Sequence, residues 1–446
     1  MLDSENTFLK QHLTRVLGEV EKNSSVIIGG TITRVSGIKI EASGLSVPLN
    51  TTCEIILSDT KKINAEVIGF ADNVTYLMAT EHIDGILPGA LVVPLSTTHH
   101  ANVGISLLGR VLDASGKPID GRGIIETTEK YSLVCDAINP LMRRKISEPL
   151  DVGIRAINAL LTVGKGQRIG IFAASGIGKS VLLGMMTHYS KADVVVVGLV
   201  GERGREVKEF IEDILGESGL AKAVVVASPA DTSPLSRVNS AVLATTIAEY
   251  YRDKGKHVLL ILDSLTRFAQ SQREISLSVG ELPATKGFTP SVFAKLSQLV
   301  ERSGNGIGSQ GSITAFYTVL VEGDEQTDPV AEHIKSVLDG HIYLSKQLAG
   351  AGHYPAIDLE KSISRVMPAI VDEVQLACSM KFKNLYSAYV QNRELLNVGM
   401  YQQGADKTLD EAIRYKDQFE IFLTQKIDES CDMNESVAGL QALFMG

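Results

Sequence analysis

The chain's four cysteines, Cys53, Cys135, Cys378 and Cys431, include no Cys-x-x-Cys pair, and no histidine stands at metal-ligand spacing from them. Neither a zinc site nor a disulfide framework is expected, and the usage fits a reducing compartment. Cationic residues are not in excess either: 43 Lys plus Arg face 52 Asp plus Glu, a formal charge of −9. That balance disfavours a surface built to neutralise a nucleic-acid backbone, and no nucleic-acid partner is expected. Long hydrophobic runs are missing. The longest, Val194 to Val200 and Val258 to Leu262, fall far short of the ~20 residues that span a bilayer. The opening MLDSENTF lacks the basic and apolar regions of a secretory signal, so a cytoplasmic protein is expected. No internal repeat of solenoid or propeller period is evident.

What is present is ordinary globular material, 44% hydrophobic and 21% charged over 446 residues. That length accommodates roughly two to four domains. Phe8, Leu9, Leu13, Val16, Leu17 and Val20 recur at helical spacing with Lys10, Arg15 and Glu19 off the stripe. This predicts an amphipathic helix that packs on its own domain or on a partner. From about Val26 to Leu95 short alternating β-branched runs (VIIGGTITRV, IKIEAS, CEIIL, NAEVIGF, LVVPL) are broken by Gly, Asn and Asp, the pattern of a small barrel. The His99–His100 pair reads as loop. From about Gln167 the runs RIGIFA, VVVVGLV, AVVVAS, HVLLILD and SITAFYTVLV alternate with helical or loop stretches, which predicts an α/β fold with a mainly parallel sheet. The last ~70 residues carry helix formers without strand runs, which predicts a helical end.

Chemistry concentrates in Ala173-Ala174-Ser175-Gly176-Ile177-Gly178-Lys179-Ser180, which follows an apolar strand and opens the helical stretch VLLGMM. In a P-loop the glycines turn backbone N–H groups towards phosphates, the lysine neutralises their oxygens, and the serine hydroxyl ligates Mg²⁺. Ala174, Ser175, Gly176, Ile177, Gly178, Lys179, Ser180 and Val181 are therefore candidate nucleotide contacts. Ala173 stands where the first glycine of the pattern is usual and cannot reach positive φ cheaply. Asp263 ends the run Val258 to Leu262, which places a carboxylate at the sheet edge where it could hold Mg²⁺. Glu202 follows the run Val194 to Val200; it could polarise water for attack on a γ-phosphate, or serve as an acid in the first turn of the next helix. Tyr354 in GHYPAID could stack on adenine or simply pack. Arg365 in SISRVM could reach a neighbouring subunit's γ-phosphate or form a surface ion pair.

Taken together, GIFAASGIGKS, GLVGERGRE, VLLILDSLTRFAQ and GHYPAIDLEKSISRVM resemble the catalytic subunits of the rotary ATPase superfamily. Within it, DVGIRAINALLTVGKGQR, SLTRFAQSQREISLSVGELPATKGFTPSVFAKL and GSITAFYTVLVEGDEQTDP are most similar to the ATPases of flagellar type III protein export. The resemblance runs from about Gly29 to Arg414. It implies a partner-binding helix over 1–22, a β-barrel over 23–97, a RecA-like ATPase domain over 98–375 and a helical domain over 376–446. It also implies an ATP- and Mg²⁺-dependent homohexamer with active sites between subunits. On it, Lys179 and Ser180 meet phosphate and Mg²⁺, Glu202 is the catalytic carboxylate, Arg203 a γ-phosphate contact, Asp263 the Walker-B acid, Tyr354 the adenine platform and Arg365 a finger supplied in trans. Leu282 and Thr289 stand where paired prolines are usual, and Phe288 where a tyrosine is.

The resemblance implies partners as well: a dimeric stator-like regulator on the N-terminal helix, a coiled-coil stalk protein in the pore, membrane proteins of an export gate, and chaperone–substrate complexes. Peripheral docking at the inner-membrane export apparatus follows from these. A virulence injectisome ATPase or a proton-driven synthase subunit has the same chemistry with different partners. An RNA translocase resembling transcription terminator helicases would need a basic, aromatic-rich N-terminal platform. Val26 to Leu95 offers Phe70 and Tyr76 with Arg34, Lys39, Lys61 and Lys62. A non-catalytic, nucleotide-holding ring subunit would lack the carboxylate at Glu202.

Overall fold

A computed structural model describes residues 29–58, 60–96, 100–135, 138–321 and 328–445. The helix expected over residues 1–22 lies outside them. The chain divides into two compact units, one up to residue 98 and one from residue 99.

In the first unit β1 (Gly30–Ser36), β2 (Lys39–Ser43), β3 (Thr52–Ile56), β4 (Lys62–Ala71), β5 (Val74–Ala79) and β6 (Leu91–Ser96) close into a barrel in the order β1-β2-β5-β4-β3-β6. Gly30 opposite Val92 completes the ring. The alternation read from the sequence is the alternation of side chains across a pleat: Ile40, Ala42, Cys53, Ile55, Ile63, Ala65 and Val67 fill the interior. The sequence pattern did not mark β5, because one of its inward positions is polar. Thr75 is buried there and its hydroxyl donates to the Leu45 carbonyl at 2.9 Å.

The second unit is built on a sheet of β7 (Val111–Leu112), β8 (Arg168–Ala173), β9 (Val194–Val200), β10 (Ala223–Ser228), β11 (His257–Asp263), β12 (Ser312–Leu320), β13 (Gly340–Leu344) and β14 (Ile357–Ser364). Their order is β14-β13-β8-β12-β11-β9-β10-β7, parallel from β13 to β7 with β14 antiparallel on the edge. Every residue of β9 and β10 is buried, as both faces of a parallel sheet must be. The strands missed in the sequence are the short or edge ones. β7 has two residues, β13 is interrupted by His341 and Tyr343, and β14 alternates as a half-covered edge does. His100, expected in a loop, instead begins the strand His100–Val103, which pairs with Glu129–Ser132.

Helices α1 (Lys179–Tyr189), α2 (Pro234–Asp253) and α3 (Leu265–Ser278) connect these strands. Ser233 and Ser264 set the starts of α2 and α3 by accepting from the amides of Ser236 and Arg267, which satisfies N–H groups a helix cannot pair internally. The chain ends in α4 (Glu373–Gln391), α5 (Lys407–Leu423) and α6 (Met433–Met445). Phe382 packs among Phe419, Phe422 and Phe444, with a centroid distance to Phe419 of 4.8 Å. These helices share one apolar cluster with Leu160 and Ile171 of the sheet domain. Polar ties reinforce it: the Gln375 amide donates to the Asn158 and Ala159 carbonyls, and Arg155 donates to the Ile421 and Thr424 carbonyls at the end of α5.

The segment in which Leu282 and Thr289 replace one proline of each pair is held by other means. Lys286 (φ 48) and Gly287 (φ 81) form a tight turn, Phe288 N–H donates to Thr285 O at 2.9 Å, and Ala284 N–H donates to Phe288 O at 2.8 Å. Arg273 lies 5.2 Å from the centre of the Phe288 ring. Thr289 is buried at the N-cap before Pro290, while Leu282 is exposed.

Candidate functional site

β8 delivers the phosphate-loop candidate to the C-terminal edge of the sheet. Ala173 is the last strand residue, paired with Leu320 and 1% exposed. Its backbone is extended, so alanine serves where the pattern expects glycine. The left-handed turns fall on Gly176 (φ 80) and Gly178 (φ 86), the two positions where a Cβ would be costly. Ile177 between them is buried in the core cluster and anchors the loop. α1 then begins at Lys179 with no side chain capping its first amides, which leaves helix N-terminal donors for an anion.

Three sheet strands bring charge to this point. The Lys179 ammonium pairs with Asp263 at the end of β11 and lies 3.6 Å from Glu202 just past β9. Asp263 also accepts from the Thr318 hydroxyl of β12 at 2.6 Å. Burial opposes the charge on Lys179, yet Asp263 and Glu202 together hold its ammonium above the usual lysine range. Burial and then the neighbouring Asp263 push the Glu202 carboxyl up to about 7. The Glu202 oxygen that faces the Lys179 ammonium is buried and within ion-pair reach but makes no hydrogen bond, so it can still accept one. Among the described residues no cluster of three or more His, Cys, Asp or Glu could hold a metal alone. A hydroxyl beside one or two carboxylates suits Mg²⁺, which keeps waters and takes substrate phosphate oxygens; Ser180 and Asp263 fit that donor set.

The other candidates divide. Tyr354 lies against the loop: a Cβ on Gly178 would stand 3.1 Å from its ring. Its carbonyl accepts from the Gln425 amide at 2.9 Å, so the helical end of the chain helps to place it. Arg203 is exposed and paired with Glu206 at 3.4 Å. Arg365 follows β14 and donates its amide to Asp339, level with the start of β8. That is one strand length, about 17 Å, from the loop end of the same sheet. The sequence reading did not mark Thr318, nor Arg237 and Arg267. A Cβ on Gly201 (φ 70) would meet the Arg267 and Arg237 side chains at 3.0 and 3.4 Å, and the Nε of each arginine is buried without a partner. The positive φ forced on Gly201 just before Glu202 was the one signal available.

Comparison with known proteins agrees with this geometry. Residues 153–364 match the ATP synthase alpha/beta family, nucleotide-binding domain, and residues 371–442 match the T3SS EscN ATPase C-terminal domain. The flagellum-specific ATP synthase of Salmonella typhimurium is 55% identical over 425 residues, 93% of each chain. The assembled ATPase EscN of the enteropathogenic E. coli type III secretion system superposes with a TM-score of 0.88 at 39% identity, covering 93% of this chain and 99% of EscN. EscN in complex with its central stalk EscO gives 0.86 at 38% identity over the same shares. With its fold, its phosphate loop and most of its length shared in this way, the chain belongs to the flagellum-specific ATP synthase family, within the type III secretion ATPases.

Proposed function

We propose that this protein is a Mg-ATP hydrolase that drives or primes export of flagellar proteins through a type III secretion apparatus, working as a homohexameric ring. The observation that carries the reading is the meeting of Lys179, Asp263 and Glu202 at the mouth of the phosphate loop. Lys179 and the free amides at the start of α1 bind the phosphates of ATP. In that state Lys179 exchanges its carboxylate partners for phosphate oxygens. Mg²⁺ would be held by the Ser180 hydroxyl and, through water, by Asp263, and would neutralise charge on the β- and γ-phosphates. Glu202, just past β9 with a buried oxygen that makes no hydrogen bond, orients the attacking water. Tyr354 offers its face to the base.

Arg365 is too far from its own phosphate loop to act there, which supports its role as a finger reaching the site of the next subunit, where a planar permanent charge stabilises the transition state. Arg203 would join it only after turning from Glu206. The assembled form of EscN and its complex with EscO support a ring and a coiled-coil stalk in its pore. Binding of a stator-like regulator to residues 1–22, contact with export-gate membrane proteins and chaperone–substrate complexes, and cytoplasmic residence with docking at the inner membrane complete the proposal. No described helix is long and apolar enough to cross a membrane. Glu202→Gln should bind ATP like the wild type and lose most phosphate release, with no effect of added RNA. Full turnover in that variant, or turnover that appears only with RNA, overturns the reading.

A further inference from the structure

The segment behind Glu202 does not continue as a regular helix. Gly204–Glu209 is α-helical, Phe210–Leu215 widens to a π-turn, and Gly216 (φ 58) breaks the course before the helix resumes to Ala221. A π-turn inserts one extra residue, and such turns concentrate at functional sites. Here it packs against α1, the helix that begins with Lys179. A Cβ on Gly184 of α1 would stand 2.0 Å from Cγ2 of Ile214. Ile214 is β-branched, with little rotamer freedom to yield, so only glycine fits.

Further contacts lock the same two elements. His188 Nε2 donates to the Ile214 carbonyl at 3.1 Å. Lys222 Nζ donates to the His188 and Ser190 carbonyls at the end of α1, at 2.8 and 3.2 Å. A Cβ on Gly219 would stand 2.9 Å from the His188 ring. α1 and the Gly204–Ala221 segment therefore have one relative position. Lys179 opens the first, and Glu202 stands two residues before the second. The adjoining strands set the height of the two charged groups at the sheet edge.

We propose that the Gly184–Ile214 contact, seated by the π-turn, is a positioning contact that holds Glu202 at working distance from the nucleotide bound at Lys179. This rests on Glu202 being the water-orienting carboxylate. An added methyl at Gly184 pushes α1 and the π-turn apart, and displacements near 1 Å at a reacting centre cost up to ~100-fold in rate. Removing the Ile214 side chain beyond Cβ relieves the conflict, because the remaining Cβ–Cβ distance of 3.5 Å is ordinary contact.

The experiment compares full-length wild type, Gly184→Ala, Ile214→Ala, the double variant and Glu202→Gln in steady-state ATP hydrolysis and in direct ATP binding. Gly184→Ala should lower kcat about 10- to 100-fold while the ATP dissociation constant stays within about threefold. The double variant should return to the kcat of Ile214→Ala within about threefold. Wild-type kcat in Gly184→Ala overturns the proposal, as does a double variant that stays slow. Parallel loss of ATP binding and turnover, unrelieved in the double variant, also overturns it, because the contact then serves only to hold the loop. If Gly184→Ala does not fold, Ile214→Ala, which removes the contact without a clash, decides alone: a wild-type kcat in that variant overturns the proposal, and a lowered kcat with ATP affinity kept supports it. Full turnover in Glu202→Gln removes the reading of Glu202 itself, whereas an inactive Glu202→Gln beside an unimpaired Gly184→Ala removes only the positioning contact.

Discussion

Glu202 should lose its working form just below neutral pH. Burial and the adjacent Asp263 push its carboxyl up to about 7, so the ionised form that can orient or deprotonate water is the minority species at pH 6. With one titrating group of that pKa, the ionised fraction is about nine-tenths at pH 8 and about one-tenth at pH 6, so kcat/KM should fall about tenfold across that interval. The sign follows from the chemistry: protonation removes the acceptor, so activity falls with falling pH. A carboxylate in water would hold its activity down to about pH 5. The assay is phosphate release at limiting ATP from pH 5.5 to 8.5. The terminal phosphate of ATP itself titrates near this range, so the ATP affinity of Glu202→Gln over the same pH values separates substrate ionisation from Glu202. A kcat/KM flat between pH 6 and 8 after that correction refutes the argument, because the buried Glu202 carboxyl would then not be the group that limits turnover.

Two further substitutions test the phosphate loop and a buried ion pair elsewhere in the sheet domain. Gly178→Ala forces a left-handed residue with a side chain against the Tyr354 ring, 3.1 Å away. At about 1–2 kcal/mol for the backbone alone, ATP affinity should fall roughly tenfold or more in calorimetric titration with secondary structure unchanged, and an affinity within about threefold contradicts it. Glu249→Ala strips a 2%-exposed carboxylate from the Arg302 guanidinium, whose Nε donates to it at 3.0 Å. Leaving that half-buried cation without its carboxylate should lower stability by about 3 kcal/mol in denaturant titration, and an unchanged midpoint contradicts the pair's structural role.

Much of this was legible because the signals are local. The phosphate loop announces itself as strand, glycine turn and helix within Arg168–Tyr189, and Glu202 and Asp263 each terminate an apolar run that could only be a buried strand. The barrel was readable from alternation wherever the inward residue was apolar, and β5 was missed where it was Thr75. Illegible features depend on chain segments far apart in sequence. Thr318 meets Asp263 because β12 and β11 are neighbours in the sheet order. Tyr354 meets Gly178 because Gln425, from beyond α5, fixes its carbonyl. Ala173 seemed a departure from the motif only until its extended backbone was known. The π-turn after Glu202 carries no composition signal, since FIEDIL reads as ordinary helix.

The central claim is a ring whose sites are completed by a neighbour, and ATPase rate per subunit against protein concentration tests it most directly, for wild type and Arg365→Ala side by side. The account predicts a cooperative rise with concentration in the wild type that is absent in Arg365→Ala, while both bind ATP equally as monomers. A wild-type rate flat in concentration, or an Arg365→Ala monomer that has lost ATP binding, would contradict it.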